Sequence, residues 1–391
     1  MNLFIDALSA RNGGGITYIQ NLLTHIPKDK RLKIYISFQG ELISYPKDSR
    51  VKRYVPYWPI FNPFLRGIWQ LIILPFILKR LKIDVLFVPG GVIFTNPPKN
   101  CKLVTMFRNM LPFDQVQIRK YPNNIFKIKI YLLKYFIIKS LKMSDKIIFI
   151  SKFARNFLIK KNKSFKNKSI VIYHGINEKF YKKKTSNSFL KKHKFILYVS
   201  RLEYYKNQIT LIYAFKNLID HYPNLKLFLI GPANKAYLKK IKSILKIQKL
   251  EKKVFLLGEI NHNKLPDYYQ SAIVNIFCSE TENCPNILLE AFASGKPVIC
   301  SNINPMPEFG GNAPIYINPK NSNEIFKKIK NVLNDENLKK KMAKKSLEQA
   351  YKFSVSKSAL KTWVYLFSSQ IISNKDWPMG TLLYRQFIYG V

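Results

Sequence analysis

Acidic residues are scarce in this chain: its 391 residues hold 22 Asp plus Glu against 66 Lys plus Arg, a formal net charge of +44. Such a field favours polyanionic partners, meaning nucleic acid, anionic lipid headgroups or phosphorylated substrates. Lys, Asn, Ile, Phe and Tyr are abundant together and have A/T-rich codons, so genome composition accounts for much of the excess equally well. Cysteine is scarce too. The four present (Cys101, Cys278, Cys284, Cys300) show neither CxxC pairing nor metal-ligand spacing, which points to a reducing compartment. Cys278 and Cys300 lie in apolar strand-like runs and read as small buried hydrophobes. A charged leader before a long apolar stretch is missing, so MNLFIDALSARNGGG does not read as a signal peptide. Long apolar runs are missing as well. The nearest approach, Tyr57 to Lys82, is broken by Gln70, Pro75 and flanking cations. A spanning helix needs about 20 apolar residues, so this stretch fails.

Apolar residues as a class are plentiful. Hydrophobic residues make up 47% and aromatics 14%, which excludes a disordered chain and allows sizeable cores. The length suits two domains. Short apolar runs alternate with helical patterns: strands at Asn2–Asp6, Leu32–Phe38, Val85–Val88, Leu103–Phe107, Lys146–Ile150 and Ile170–Tyr173, with helices at Gly15–His25, Phe64–Leu81, Asn124–Leu141 and Lys152–Lys160 between them. A second series has strands at Phe195–Ser200, Leu225–Ile230, Val254–Leu257, Ile273–Phe277 and Val298–Cys300, with helices at Gln208–His221, Lys235–Ile247 and Ile287–Ser294. From Ser322 the chain is helical and lysine-rich, interrupted by Pro378 and Gly380. This alternation predicts an α/β protein with two parallel sheets and right-handed crossovers. The expected domains are 1–181 and 195–360, joined by a polar linker at 182–194, with a helical tail at 361–391 packing back on the first domain. Two segments, Tyr57 to Lys82 and Asn124 to Lys142, mix aliphatic, aromatic and cationic residues in the manner of interfacial helices.

The densest chemistry lies in SETENCPNILLEAFASGKPVICSNINPMPE, Ser279 to Glu308. Glu282 and Glu290 have seven residues between them, including Pro285. An apolar strand precedes Glu282, and a helix pattern ending at Gly295 and Pro297 follows Pro285. A proline suits the first turn of a helix, where its missing N–H costs nothing. Glu282 then lies in the loop at a strand's carboxyl end and Glu290 within two helical turns. The free N–H groups of Asn286, Ile287 and Leu288 between them form an anion site. Carboxylates on either side of a phosphate site suit a ligand with hydroxyls on either side of a phosphate: a nucleotide-sugar.

Ser200-Arg201-Leu202-Glu203 with Lys206-Asn207 follows the first strand of the second series. A planar guanidinium and a point-like ammonium at a strand's carboxyl end suit a diphosphate. Gly231-Pro232 and Gly258-Glu259 are further strand-end loops on the same side. Gly13-Gly14-Gly15 ends the first strand and opens a helix, where glycine lets backbone approach a phosphate. It is not GxGxxG, because Tyr18 holds the last glycine position. His174, beside Gly175, reads as a structural histidine. Asp6 and Asp84 read as carboxylates bonded to loop amides.

Over nearly its whole length the chain resembles the retaining glycosyltransferases of the GT-B fold, family 4. The resemblance rests on Glu282 and Glu290 with EAFASGKPVI, on Arg201 to Asn207, and on VIYHGIN from Val171 to Asn177. The glycine run and IFISKFAR from Ile148 to Arg155 are looser matches. It implies two Rossmann-like domains facing each other across a cleft. It further implies that Glu290 holds the ribose hydroxyls, Glu282 contacts the donor sugar, Arg201 and Lys206 hold the diphosphate, and Gly14 and Gly15 approach that phosphate from the other domain. Two places depart from the pattern. Glu-Gly-Phe-Gly is replaced by Glu282-Asn283-Cys284-Pro285, so phosphate contacts fall to Asn286 and Ile287. A His-Asp pair is replaced by Arg108-Asn109, which are assigned to acceptor or phosphate.

The expected activity is transfer of a hexosyl-type sugar from a nucleoside diphosphate sugar, with retention, to a polyprenyl-linked or other saccharide acceptor. The expected setting is O-antigen, capsule or other surface-polysaccharide assembly, cytoplasmic and peripheral at the inner face of the membrane. No Asp-x-Asp occurs, so neither a divalent metal nor another cofactor is expected. Two rivals stand beside this reading. A nucleic-acid-binding protein is suggested by the charge alone and lacks RNP, zinc-finger or recognition-helix motifs. A nucleotide-sugar-binding protein without transferase activity, such as an epimerase type, would need an acid/base pair that the five histidines do not obviously supply.

Overall fold

A strand buried on both faces must be apolar throughout, and the chain's short runs of Ile, Leu, Val and Phe meet that demand. In the computed structural model, which describes residues 1–10, 14–39, 47–57, 61–181 and 188–368, they form two wholly parallel sheets. The first contains β1 (Asn2–Asp6), β2 (Lys33–Ser37), β3 (Val51–Arg53), β4 (Val85–Val88), β5 (Lys102–Phe107), β6 (Lys146–Phe149) and β7 (Ser169–Val171), in the order 3-2-1-4-5-6-7. The second contains β8 (Lys194–Val199), β9 (Leu225–Ile230), β10 (Val254–Gly258), β11 (Val274–Phe277), β12 (Val298–Ser301) and β13 (Ile315–Ile317), in the order 10-9-8-11-12-13. Both are doubly wound α/β sheets. Strand order reverses between β1 and β4 in one and between β8 and β11 in the other.

The chain divides into two compact units. One comprises Met1–Pro112, Ile128–Gly175 and the chain from Val355; the other comprises Phe113–Lys127 and Ile176–Ser354. Within the first, Phe4, Trp69, Leu74, Leu86 and Leu103 form part of one buried cluster. The last described helix, Val355–Phe367, belongs to this unit and packs on the helix Gly14–Leu23. Fully buried Trp363 donates its indole N–H to the Leu22 carbonyl at 3.2 Å, and the Tyr18 and Thr362 hydroxyls lie 3.1 Å apart.

Several expectations needed correction. The single helix expected over Phe64–Leu81 is two short α-helices, Pro63–Ile68 and Leu74–Arg80, separated by a π-helical stretch at Trp69–Ile73. Pro75 has no N–H to donate back to Leu71. The Leu74 N–H reaches back five residues to the Trp69 carbonyl, and the Thr95 hydroxyl donates to the carbonyl of Gln70 at 2.6 Å. Strands β3 and β13 were not foreseen: each is three residues long and lies at its sheet's edge, where a long apolar run is not needed. Helix Leu265–Ser271 was also missed. Within the expected linker, Ser188–Lys191 forms a helical turn. Positions 182–187 of that linker, Gly13, positions 58–60 of the first interfacial segment, and the expected interruption at Pro378 and Gly380 lie outside the described residues.

Trp363→Ala removes a fully buried indole from this packing and should cost about 3–5 kcal/mol. The urea midpoint of the full chain, at unchanged m-value, measures it. A loss below about 1 kcal/mol would contradict the burial of this helix against Gly14–Leu23.

Candidate active site

In open parallel sheets, ligands bind beyond the strands' carboxyl ends, at the reversal of strand order. In the second unit those ends are Val199 on β8 and Phe277 on β11, adjacent strands at the reversal. From β8 the chain turns through Arg201 and Glu203 into a 3-10 turn, Tyr204–Lys206, then Asn207 with φ 55°. From β11 it runs through Ser279–Cys284 into the helix Asn286–Ala293. The glycine after β9 lets its turn close onto the one after β8. Gly231 has φ +142°, and a Cβ there would lie 2.2 Å from the Ser200 carbonyl oxygen.

These turns bring Lys206 onto Glu282. The Lys206 ammonium contacts Glu282 Oε1, with the two side chains 7% and 15% exposed. Burial alone would push the lysine toward its neutral form. The charge and hydrogen bond of the adjacent Glu282, together with Tyr205 and Glu203, outweigh that and hold its pKa above the ordinary range. Arg201 is more open, its Nη2 lying 3.6 Å from Glu203 Oε1.

Glu290 stands inside the helix, 8% exposed. Its Oε1 lies 2.8 Å from His262 Nε2, and its Oε2 accepts from the Tyr269 hydroxyl at 3.4 Å. His262 Nδ1 lies 2.9 Å from Lys179 Nζ. An ammonium only donates, so Nδ1 accepts and the ring's proton sits on Nε2, directed at Glu290. Burial lowers the Lys179 pKa, with Glu290 opposing that shift. His262 and Lys179 carried no sequence signal: they are 83 residues apart and outside every motif.

Pro285 is the N-cap (φ −80°, ψ 77°), one place earlier than expected, because its backbone is not helical. Of the three amides expected to face an anion, Asn286 N–H donates to the Cys284 carbonyl at 2.9 Å and Leu288 N–H to the Pro285 carbonyl at 2.9 Å. Ile287 N–H has no such carbonyl partner among the described residues.

A carboxylate two residues before Glu282 went unremarked in the sequence. Glu280, 5% exposed, accepts from Lys120 Nζ at 2.7 Å, Asn207 Nδ2 at 2.8 Å and Gln117 Nε2 at 2.9 Å, with Lys320 Nζ 3.2 Å away. Burial would raise its pKa; the hydrogen bonds from Lys120, Asn207 and Gln117 and the Lys120 charge outweigh this and hold it below the usual carboxylate range. No group of three or more His, Cys, Asp or Glu that could hold a metal gathers among the described residues.

The remaining predicted residues lie in the first unit. The helix there starts at Gly14. A Cβ on Gly15 would sit 3.3 Å from Arg108 Nη1, so the small residue makes room for the guanidinium beside the helix start. Asn109 Oδ1 caps the Leu111 N–H at 3.1 Å. His174 is buried, its ring 5.2 Å from that of Tyr18. Asp6 accepts from the Leu8 amide and Asp84 from the Asn2 amide.

Residues 12–180 match the model of Glycosyltransferase Family 4, and residues 179–349 match that of Glycosyl transferases group 1. Among curated relatives, the capsular polysaccharide biosynthesis glycosyltransferase CapH of Staphylococcus aureus is 32% identical over 58% of this chain and 62% of its own. An N-acetylgalactosamine-N,N'-diacetylbacillosaminyl-diphospho-undecaprenol 4-alpha-N-acetylgalactosaminyltransferase of Campylobacter jejuni is 29% identical over 50% of this chain and 53% of its own. The chain thus spans only about half to three-fifths of these relatives' length. Among solved structures, HepE of Anabaena, crystallised with UDP and glucose, superposes with a TM-score of 0.68 at 19% identity, covering 94% of this chain and 99% of that one. With two doubly wound parallel sheets and both family models matched end to end across them, the chain belongs to the glycosyl transferases group 1, with the GT-B fold.

Proposed function

We propose that this protein transfers a hexosyl-type sugar, with retention of anomeric configuration, from a nucleoside diphosphate sugar to a polyprenyl-linked or other saccharide acceptor in surface-polysaccharide assembly. The observation that carries the donor half is the meeting of Lys206 and Glu282 at the carboxyl ends of β8 and β11, with Arg201 on the turn after β8 and Glu290 in the helix after β11. Cations suited to a diphosphate and carboxylates suited to sugar and ribose hydroxyls are held on two neighbouring turns of one sheet. The acceptor half leans on the Campylobacter relative, whose name specifies a diphospho-undecaprenol acceptor, and the polysaccharide setting leans on the capsular one.

The difficult event is departure of the diphosphate as the sugar becomes oxocarbenium-like. Arg201, Lys206 and the Ile287 N–H would receive the charge growing on the leaving group, a stabilisation larger in the transition state than in the bound substrate. Glu282, neutralising Lys206, keeps that ammonium fixed and is placed to take a sugar hydroxyl. The Glu290 carboxylate, with one donor on each oxygen, keeps lone pairs for a ribose diol. The leaving phosphate itself can take the acceptor's proton, so a separate base is unnecessary. In the first unit, Gly14 and Gly15 would approach the phosphate, and Arg108 and Asn109 are assigned to phosphate or acceptor.

We also read the protein as peripheral at the inner face of an anionic membrane. No described helix is long and apolar enough to cross one. Phe61, Phe64, Leu71, Ile72 and Phe76 are exposed in and before the interrupted helix. In the helix Asn124–Met143, Ile125, Ile128, Leu132 and Tyr135 are exposed at helical spacing among lysines. Apolar side chains interleaved with cations suit the headgroup boundary of anionic lipid.

With UDP, GDP and ADP offered in turn, one nucleotide should raise the melting temperature of the parent protein, and Glu290→Ala should abolish that shift. Lys206→Ala should lower donor turnover by on the order of 100- to 1000-fold. Turnover at the parental rate in either variant would refute the donor site. Sedimentation with phosphatidylglycerol-containing liposomes at physiological salt should co-pellet the protein, and Phe64→Ser with Phe76→Ser should weaken this. Indifference of the parent protein to such liposomes would refute the membrane reading.

A further inference from the structure

One stretch of chain touches both turns of the candidate site, the one after β8 and the one after β11, without being part of either. Phe113–Lys127 packs with the second unit, although the residues on both sides of it belong to the first. Its short helix, Gln115–Arg119, is capped by Asp114, whose Oδ1 accepts the Gln117 N–H at 3.1 Å. Ile118, Gln117 and Tyr121 are all buried. Asp114 Oδ2 also accepts the Thr281 hydroxyl, in the loop after β11.

Two chains of contacts lead from this segment to the cations. In the first, the Tyr121 hydroxyl donates to Glu203 Oε2 at 2.9 Å, and the other oxygen of Glu203 faces Arg201 at 3.6 Å. In the second, Gln117 and Lys120 hold Glu280, and Glu280 holds Asn207. Asn207 follows Lys206 directly and sits in the left-handed region, which Asn enters more readily than other non-glycine residues. Its side-chain amide is bound by Glu280 and by the Cys278 carbonyl at 3.1 Å, while the Glu280 N–H donates to the Tyr205 carbonyl at 2.8 Å.

We propose that Phe113–Lys127 is a positioning strap for the diphosphate cations: Tyr121 acts through Glu203 on Arg201, and Gln117 with Lys120 acts through Glu280 and Asn207 on Lys206. The physical need is plain. Arg and Lys lose much rotamer freedom when fixed, and a cation that wanders by an ångström stabilises a leaving group poorly. Arg201 is more than half exposed, so packing alone does not fix it; the Tyr121–Glu203 pair supplies a buried counter-charge of set position. None of the strap residues is assigned contact with the donor. The inference rests on the donor-site reading above.

The test compares nucleoside diphosphate with monophosphate, since the strap acts on the cations assigned above to the diphosphate. UDP against UMP, and GDP against GMP, would be titrated calorimetrically into the full chain and into Tyr121→Phe, Gln117→Leu and Glu280→Gln. Tyr121→Phe retains the ring stacked on Phe126 at 4.4 Å and meeting Tyr204 at 5.2 Å, so it decides the matter if Glu280→Gln fails to fold. Val116→Ala, exposed on the same helix, is the control. In the strap variants, diphosphate affinity should fall roughly five- to tenfold while monophosphate affinity holds, which is the loss of one well-placed hydrogen bond. Equal weakening of both ligands would show general loosening and overturn the strap. Unchanged affinities in all three variants would overturn it as well and leave the donor site standing. A parent protein that does not prefer diphosphate over monophosphate would overturn the donor site itself, and the strap with it.

Discussion

A buried ammonium is tolerable only beside a fixed negative charge, and the second unit is arranged around that condition. Lys206 is the one buried cation among the described residues, and its counter-charge comes from a loop 76 positions later in the chain. Desolvation of the pair is costly, and removing one member would leave the other unpaired, which is worse. Both turns therefore have to arrive together. They do so because β8 and β11 are neighbours at the reversal of strand order, so their carboxyl ends open side by side. Glycine at 231 clears the approach to Ser200, and Glu280 ties the Lys206–Asn207 turn to the loop after β11.

The scarcity of acids sharpens this picture. With 66 basic residues and 22 acidic ones, most cations cannot have a carboxylate of their own. The acids that are buried, Asp6, Glu203, Glu280 and Glu290 among the described residues, lie at or just beyond strand ends or within the helix that follows one. Three of the four gather at the candidate site. Net charge therefore says little about the chemistry, and the placement of the few carboxylates says much.

Glu290 illustrates how a carboxylate of the candidate site is held in place. A carboxylate free to rotate would bind a diol with an entropic cost. Here a histidine whose tautomer is set by a lysine holds one oxygen, and a tyrosine holds the other. Both supporting groups come from outside the helix that carries Glu290, so the helix supplies direction and the neighbouring elements supply rigidity.

What the sequence determined by itself is the architecture and the principal residues of the candidate site. Doubly buried parallel strands must read as apolar runs, helices between them must show a 3.6-residue period, and residues at a strand's carboxyl end are named by counting. Glu282, Glu290, Arg201 and Lys206 were legible on those grounds. The edge strands β3 and β13 were not, because an edge needs no apolar run. The π-helical break before Pro75 was not, because a proline signals disruption and not the form the disruption takes. Only the tertiary structure decided which partners those residues have. That Lys206 meets Glu282, that Glu280 collects Lys120 and Gln117 from 160 positions away, and that His262 orients Glu290 are consequences of chain segments meeting across long separations. Such meetings leave no local periodicity, because the physical force that selects them, relief of a buried charge, acts through space and not along the chain.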